Sequence, residues 1–222
     1  MGHQSVDLRL WPRKFARNLQ DYGWKAALNK SFAYVFRVFY EHSEYRLYKI
    51  NLQTEATEAP SGTEGVEFRF ISEGDEAAVA AIEENSEWLS RTVKQRLASG
   101  ALCLAAFEGG HLAGFNLVSF GAVFMPLVNL SRTFRKGEAW SEQIATLKTF
   151  RKKGLASQLR YRIFEELRRR GVRKFYGGAL TDNVASLKLA RRVGFHEFVE
   201  IQYTRVLRSR KWRYVKVNNE SD

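Results

Sequence analysis

A chain of 222 residues, 45% hydrophobic and 14% aromatic with only 3 prolines, can bury one substantial core, which excludes wholesale disorder and collagen-like repetition. A single cysteine, Cys103, excludes an internal disulfide, and His3, His42, His111 and His196 are scattered without ligand spacing, so no metal site is expected. The formal net charge of +12 implies a positive field suited to an anionic partner: a nucleotide cofactor, an acidic carrier protein, nucleic acid or a membrane surface.

Trp11 to Asn51 reads as helical, because Phe15, Leu19, Trp24, Leu28, Phe32, Val35, Phe36 and Phe39 recur at spacings of three to five. The run from Gln53 to Gly65 is small, polar and unpatterned, and marks a linker. The expected organisation is an aromatic, basic helical appendage over residues 1–52, a linker over 53–65 and one domain over 66–222. The appendage could lie on a membrane surface or grip a partner. Equally, it could pack on the main domain or on a second copy in a homodimer.

Val66 to Ile71 alternates as a strand, Gly74 to Glu84 reads as a helix, and a second helix covers Glu87 to Ser99. Ala101 to Glu108 and His111 to Phe120 form a hairpin across Gly109-Gly110. The run from Phe120 to Val128 reads either as the lining of an acceptor or acyl pocket or as a buried strand and its turn. Ala139 to Phe150 is a strand whose apolar pattern Ser141, Glu142 and Gln143 interrupt. Leu155 to Arg170 is an amphipathic helix with Leu155, Leu159, Ile163, Phe164 and Leu167 on one face, ended by Gly171. A strand (Val172 to Leu180), a helix (Asn183 to Val193), a long strand (Phe195 to Leu207) and a short partner (Trp212 to Val217) follow. This order predicts a mixed α/β sheet and not a regular doubly wound one.

No apolar stretch reaches the roughly 18 residues that cross a bilayer, and Met1 to Val6 lacks a basic segment leading into an apolar core. With one unpaired cysteine, the expectation is a cytoplasmic protein, able to sit peripherally at the inner membrane surface.

The chemistry centres on the run Arg151-Lys152-Lys153-Gly154-Leu155-Ala156, where a strand gives way to the amphipathic helix. Unpaired N–H groups and aligned peptide dipoles at such a junction attract a phosphate. Gly154 and Ala156 allow it close to the backbone, and three basic side chains surround it. About thirty residues later, after one strand, comes Asn183-Val184-Ala185-Ser186-Leu187-Lys188-Leu189-Ala190-Arg191-Arg192-Val193-Gly194-Phe195.

Together the two segments resemble the GNAT superfamily of N-acetyltransferases, over about Val66 to Leu207. The first matches the family's R/Q-x-x-G-x-G/A turn and the second its N-x-x-[AS]-x-x-L-Y-x-x-x-G-F segment. The resemblance implies a mostly antiparallel mixed sheet flanked by helices, coenzyme A (acetyl-CoA) as cofactor, and an amine acceptor that attacks the thioester directly. It implies a pyrophosphate held by Arg151, Lys152, Lys153, Gly154, Leu155, Ala156 and Ser157. The pantetheine arm would pair near Thr146, Leu147 and Lys148, with Asn183 and Ser186 also contacting cofactor. The acyl carbonyl would lie near Glu142 to Ala145.

Direct attack needs a base and a proton for the leaving thiolate. Glu142 is the candidate base. The family's helix tyrosine falls on Ala190, so Tyr176, Tyr203 or Ser186 is the candidate acid, Tyr176 first, unless water serves. Cys103 reads as a core residue. Two alternatives stand beside an acetyltransferase: a long-chain N-acyltransferase fed by an acidic carrier protein, and a non-catalytic acyl-CoA-binding protein docked by its basic surface. No nucleic-acid fold signature accompanies the charge, which makes nucleic acid the least favoured partner.

Overall fold

The structure, a computed structural model, describes residues 40–54, 64–86, 89 and 92–217. The helix expected from Trp11 onward lies outside the described residues as far as residue 39, and so do linker residues 55–63.

Ten strands are described: β1 (Tyr40–Asn51), β2 (Val66–Ile71), β3 (Leu102–Glu108), β4 (His111–Ser119), β5 (Ala122–Met125), β6 (Leu130–Thr133), β7 (Glu138–Thr146), β8 (Lys174–Leu180), β9 (His196–Val206) and β10 (Ser209–Lys216). Four helices accompany them: α1 (Glu76–Glu84), α2 (Val93–Ala98), α3 (Leu155–Arg169) and α4 (Val184–Arg192). Eight strands form one sheet in the order β10-β9-β1-β8-β7-β4-β3-β2, and β5 pairs with β6 in a separate hairpin.

Alternation along β3 explains the layering. Leu102, Leu104 and Ala106 face the core formed with α3 and α4, while Cys103, Ala105 and Phe107 face the core formed with α1 and α2. β3 and β4 are buried on both faces, which is why β3 reads as a continuous apolar run. A third cluster lies beneath the β5–β6 hairpin, where Val123, Met125 and Val128 meet Tyr45, Leu47, Trp140 and Tyr176. The run from Phe120 to Val128 is thus a strand and its 3-10 turn at Pro126–Val128.

The helix expected to run through Asn51 is corrected over its described end. Tyr40–Asn51 is a strand, antiparallel to β8 on one side and to β9 on the other. Tyr45 and Leu47 enter one core and Tyr48, Ile50 and Leu52 the opposite one. The alternation is that of an unbroken strand, odd positions toward the hairpin and even positions toward α3 and α4, and the register shift between Leu47 and Tyr48 leaves Phe198 of β9 as the extra residue. The main sheet therefore begins on the N-terminal side of the linker. Among the described residues, no helix is long and apolar enough to cross a membrane.

Candidate active site

β7 and β8 are the parallel pair of the sheet, and their pairing covers only Glu138↔Lys174, Ala139↔Phe175 and Trp140↔Tyr176. Beyond these residues the strands part, because β8 stays with β1 (Gly177↔Tyr48, Gly178↔Leu47) while β7 stays with β4 through Thr146. A gap opens between residues 141–146 of β7 and 177–180 of β8. Leu147 donates its N–H to Ala113 O at 2.9 Å. By the alternation of an antiparallel ladder, Ala145 and Gln143 then also face β4, while Ile144 and Thr146 turn their peptide groups toward the gap. Of the three positions expected along the pantetheine arm, Thr146 faces the gap and Leu147 does not; its amide is already bonded to β4. Lys148 lies in the 3-10 turn Lys148–Phe150 that follows.

The mouth of the gap carries the starts of α3 and α4. Gly154 caps α3 in the left-handed conformation (φ 77°), and Lys152 adopts φ 67°, an uncommon conformation for a residue with a side chain. The first amides with a backbone acceptor here are those of Ser157 and Gln158, to Gly154 O at 3.0 and 3.2 Å. The N–H groups just before them stand at the positive end of the helix, as an anion requires. A Cβ built on Gly154 would meet no atom within 4 Å, so the space above the turn is open. Arg151 Nε donates to Thr146 O at 3.2 Å and Lys152 is exposed, so both flank the turn. Lys153 is turned aside, with both carboxylate oxygens of Glu108 at 2.8 Å from its ammonium. Leu155 and Ser157 are buried under the turn. Asn183 caps α4, its Oδ1 accepting from Ser186 N at 3.1 Å.

Glu142 occupies an irregularity in β7. The register passes from Leu117↔Gln143 to Val118↔Ser141, leaving Glu142 as the extra residue of a bulge. Ser141 faces α3, whereas Glu142 and Gln143 face the α1–α2 side. There Ser119 Oγ and Arg96 Nη1 both donate to Glu142 Oε1, and Ser86 Oγ donates to Gln143 Oε1 at 2.7 Å. The Glu142 side chain is 8% exposed. The interruption seen at Ser141, Glu142 and Gln143 is thus a bulge that aims a carboxylate toward one face of the gap.

The expected acids do not gather around it. Tyr176 sits at the closed end of the gap and donates its hydroxyl to Glu138 Oε1 at 3.1 Å, on the side away from the mouth. Tyr203 is buried against Trp212 beneath the hairpin. Ser186 is taken into the α4 cap through its amide, and Ala190 is buried in the core with no polar group. The residue missed is Tyr48. Its ring lies across Gly177, and its hydroxyl donates to Gly178 O at 3.4 Å and feels the nearby Arg160 charge. Burial raises the Tyr48 pKa, and the Arg160 charge pulls partly the other way. Two adjacent glycines inside a strand, Gly177-Gly178, were the signal for a close approach.

Among the described residues, no group of three or more His, Cys, Asp and Glu side chains could hold a metal ion. A basic hollow lined by Arg135, Lys136, Arg173 and Lys174 opens at the other end of the parallel pair, apart from the gap.

A family model described as the acetyltransferase (GNAT) family matches residues 67–195. No curated protein matches the sequence. Among solved structures, a GCN5-related N-acetyltransferase from Sphaerobacter thermophilus aligns with TM-score 0.55 and 19% identity over 91% of this chain and 71% of that one. A tandem GNAT protein from the clavulanic acid biosynthesis pathway aligns with TM-score 0.57 and 16% identity over 86% of this chain and 59% of that one. A Drosophila protein aligns with TM-score 0.56 and 14% identity over 85% of this chain and 59% of that one. The chain thus spans 59% of the length of the tandem and Drosophila structures, and these likenesses are of fold. With the splayed parallel pair, the glycine-capped turn at its mouth and the family match over residues 67–195, the chain belongs to the GNAT acetyltransferase family.

Proposed function

We propose that this protein transfers an acyl group from a coenzyme A thioester to a primary amine by direct attack. The observation that carries the reading is the gap between β7 and β8, with the open turn around Gly154 at its mouth. In this reading the pyrophosphate docks on the amides around Gly154, Leu155 and Ala156, flanked by Arg151 and Lys152. The pantetheine arm runs down the gap along Ile144 and Thr146, and the thioester comes to rest beside the bulge at Glu142. Binding both reactants in one orientation supplies much of the acceleration.

The amine approaches from the α1–α2 face and gives up its extra proton to Glu142, directly or through one water. Arg96 and Ser119 hold that carboxylate in place through Oε1. The amine nitrogen then bonds to the thioester carbon, the carbon–sulfur bond breaks, and the sulfur keeps the electron pair. Tyr48 is the proton donor in this reading, and its phenol is re-protonated from solvent after product leaves. It replaces Tyr176, whose hydroxyl is engaged by Glu138.

The test is to follow thiol release from acetyl-CoA over a panel of primary amines, with mass analysis of the product. An N-acylated amine formed by the wild type, with turnover lost in Glu142→Gln, is the expected result. Turnover through an acylated protein intermediate would overturn the direct-attack reading.

A further inference from the structure

Arg160, on the sheet-facing side of α3, is the largest fully buried side chain among the described residues, at 2% exposed. Its Nη1 donates to Ser141 Oγ at 2.7 Å and reaches Asn116 Oδ1 only at 3.5 Å. Its guanidinium stands 5.5 Å from the ring centres of both Phe175 and Phe195. No carboxylate of the described residues pairs with it, and Arg160 Nε and Asn116 Nδ2 are both buried without an acceptor. Burial pulls the Arg160 pKa down, opposed by the Tyr48 hydroxyl alone. A guanidinium taken out of water without a counter-ion is unfavourable, and aromatic faces offset only part of that cost. The site is short of acceptors, with two buried donors pointing at nothing.

Its place in the fold says what would supply them. Ser141 is the first residue of β7 beyond the last parallel pair, and Gly177, under the Tyr48 ring, is the first of β8. Arg160 bonds to Ser141 on one lip and lies beside Tyr48, whose ring covers Gly177 on the other, and so stands at the apex of the gap. If the cofactor arm enters at the mouth and the thioester stops at Glu142, the far end of the acyl group reaches the apex.

We propose that the donor's acyl group ends in a carboxylate, as in a succinyl thioester, and that Arg160, with Ser141 and Asn116, binds that carboxylate. The carboxylate takes no part in the bond changes: the carbon–sulfur bond breaks, the carbon–nitrogen bond forms, and the product is an amide with a free terminal acid. The inference rests on the gap being the acyl-CoA site.

The experiment is calorimetric titration of the full chain with coenzyme A, butyryl-CoA and succinyl-CoA, in the wild type, Arg160→Met and Arg160→Lys. Butyryl-CoA matches the length of the succinyl group without its charge. Wild type should bind succinyl-CoA tighter than butyryl-CoA by on the order of tenfold or more, the weight of a charge-assisted hydrogen-bonded pair. Arg160→Met should abolish that preference while keeping affinity for coenzyme A, and Arg160→Lys should keep part of it. Equal affinity for butyryl- and succinyl-CoA in the wild type, with coenzyme A bound, would overturn this inference and leave the acyl-CoA reading standing. Failure of all three ligands to bind would overturn both. The wild-type comparison decides even if Arg160→Met does not fold.

Discussion

Tyr48 of β1 and Gly177 of β8 are matched in shape: a Cβ added to Gly177 would stand 2.4 Å from Tyr48 Cε2. The neighbouring Gly178 is in the same position toward Tyr45, with 2.3 Å to Cε1. The two glycines let two rings from the strand before the linker lie across β8, one on each face of the sheet. β1 is thus joined to the domain by shape as well as by its ladders with β8 and β9.

Gly177→Ala should therefore destabilise the fold by about 1–3 kcal/mol, the usual cost of overpacking. Chemical denaturation of Gly177→Ala, Tyr48→Leu and the double variant would measure it. Because the clash needs both partners, the double variant should lose clearly less than the sum of the two single losses. Strict additivity would mean the ring does not lie where it is described.

Tyr48→Phe keeps the ring and removes only the hydroxyl. Turnover should fall by on the order of 10²–10⁴-fold, the weight of a positioned general acid, with affinity for coenzyme A unchanged. Tyr176→Phe should retain turnover within a few fold, because that hydroxyl is bonded to Glu138. The opposite ranking would return the acid role to Tyr176.

Glu197 is buried on β9 and bridged by Arg46 at 2.5 Å and Arg191 at 2.7 Å. Burial alone would raise its pKa, but the hydrogen bonds from Arg191 and Arg46 outweigh it and the folded pKa is lowered from 4.5. A depressed folded pKa means the contribution to stability is present above the unfolded value and is lost as pH falls through the folded one. Thermal melts should lose stability below about pH 4.5. In Glu197→Gln the melting temperature should already be lower at pH 7, and its decline into acid should be shallower.

Burial pushes the Cys103 thiol up to about 12. Iodoacetamide at pH 8 should leave the folded protein unlabelled and label it at once in denaturant. Rapid labelling of the native state would show that β3 opens.

What could be read from sequence followed local rules. Gly109-Gly110 both take positive φ, as a tight hairpin requires. The apolar positions of α3 predicted its buried face, and Asn183 had the chemistry of a cap. β1 escaped because it is specified by partners far along the chain, with Tyr48 facing Gly177, and because the upstream aromatics suggest a helical period that does not hold from Tyr40 onward. The Glu142 bulge was visible as an interruption, but its direction was set by Ser119 and Arg96 from other elements. Arg160 was legible in principle, since it falls on the same face of α3 as Ile163, Phe164 and Leu167, where a charge has no structural reason to be.

The central claim, that the β7–β8 gap holds an acyl-CoA with its pyrophosphate on the turn at Gly154, is tested most directly by titrating acetyl-CoA into the wild type and Gly154→Glu. The account predicts micromolar binding by the wild type and none by the variant, whose carboxylate would occupy the open space above the turn and repel the pyrophosphate. Circular dichroism of the variant should match that of the wild type. Undiminished binding by a folded Gly154→Glu variant would contradict the account.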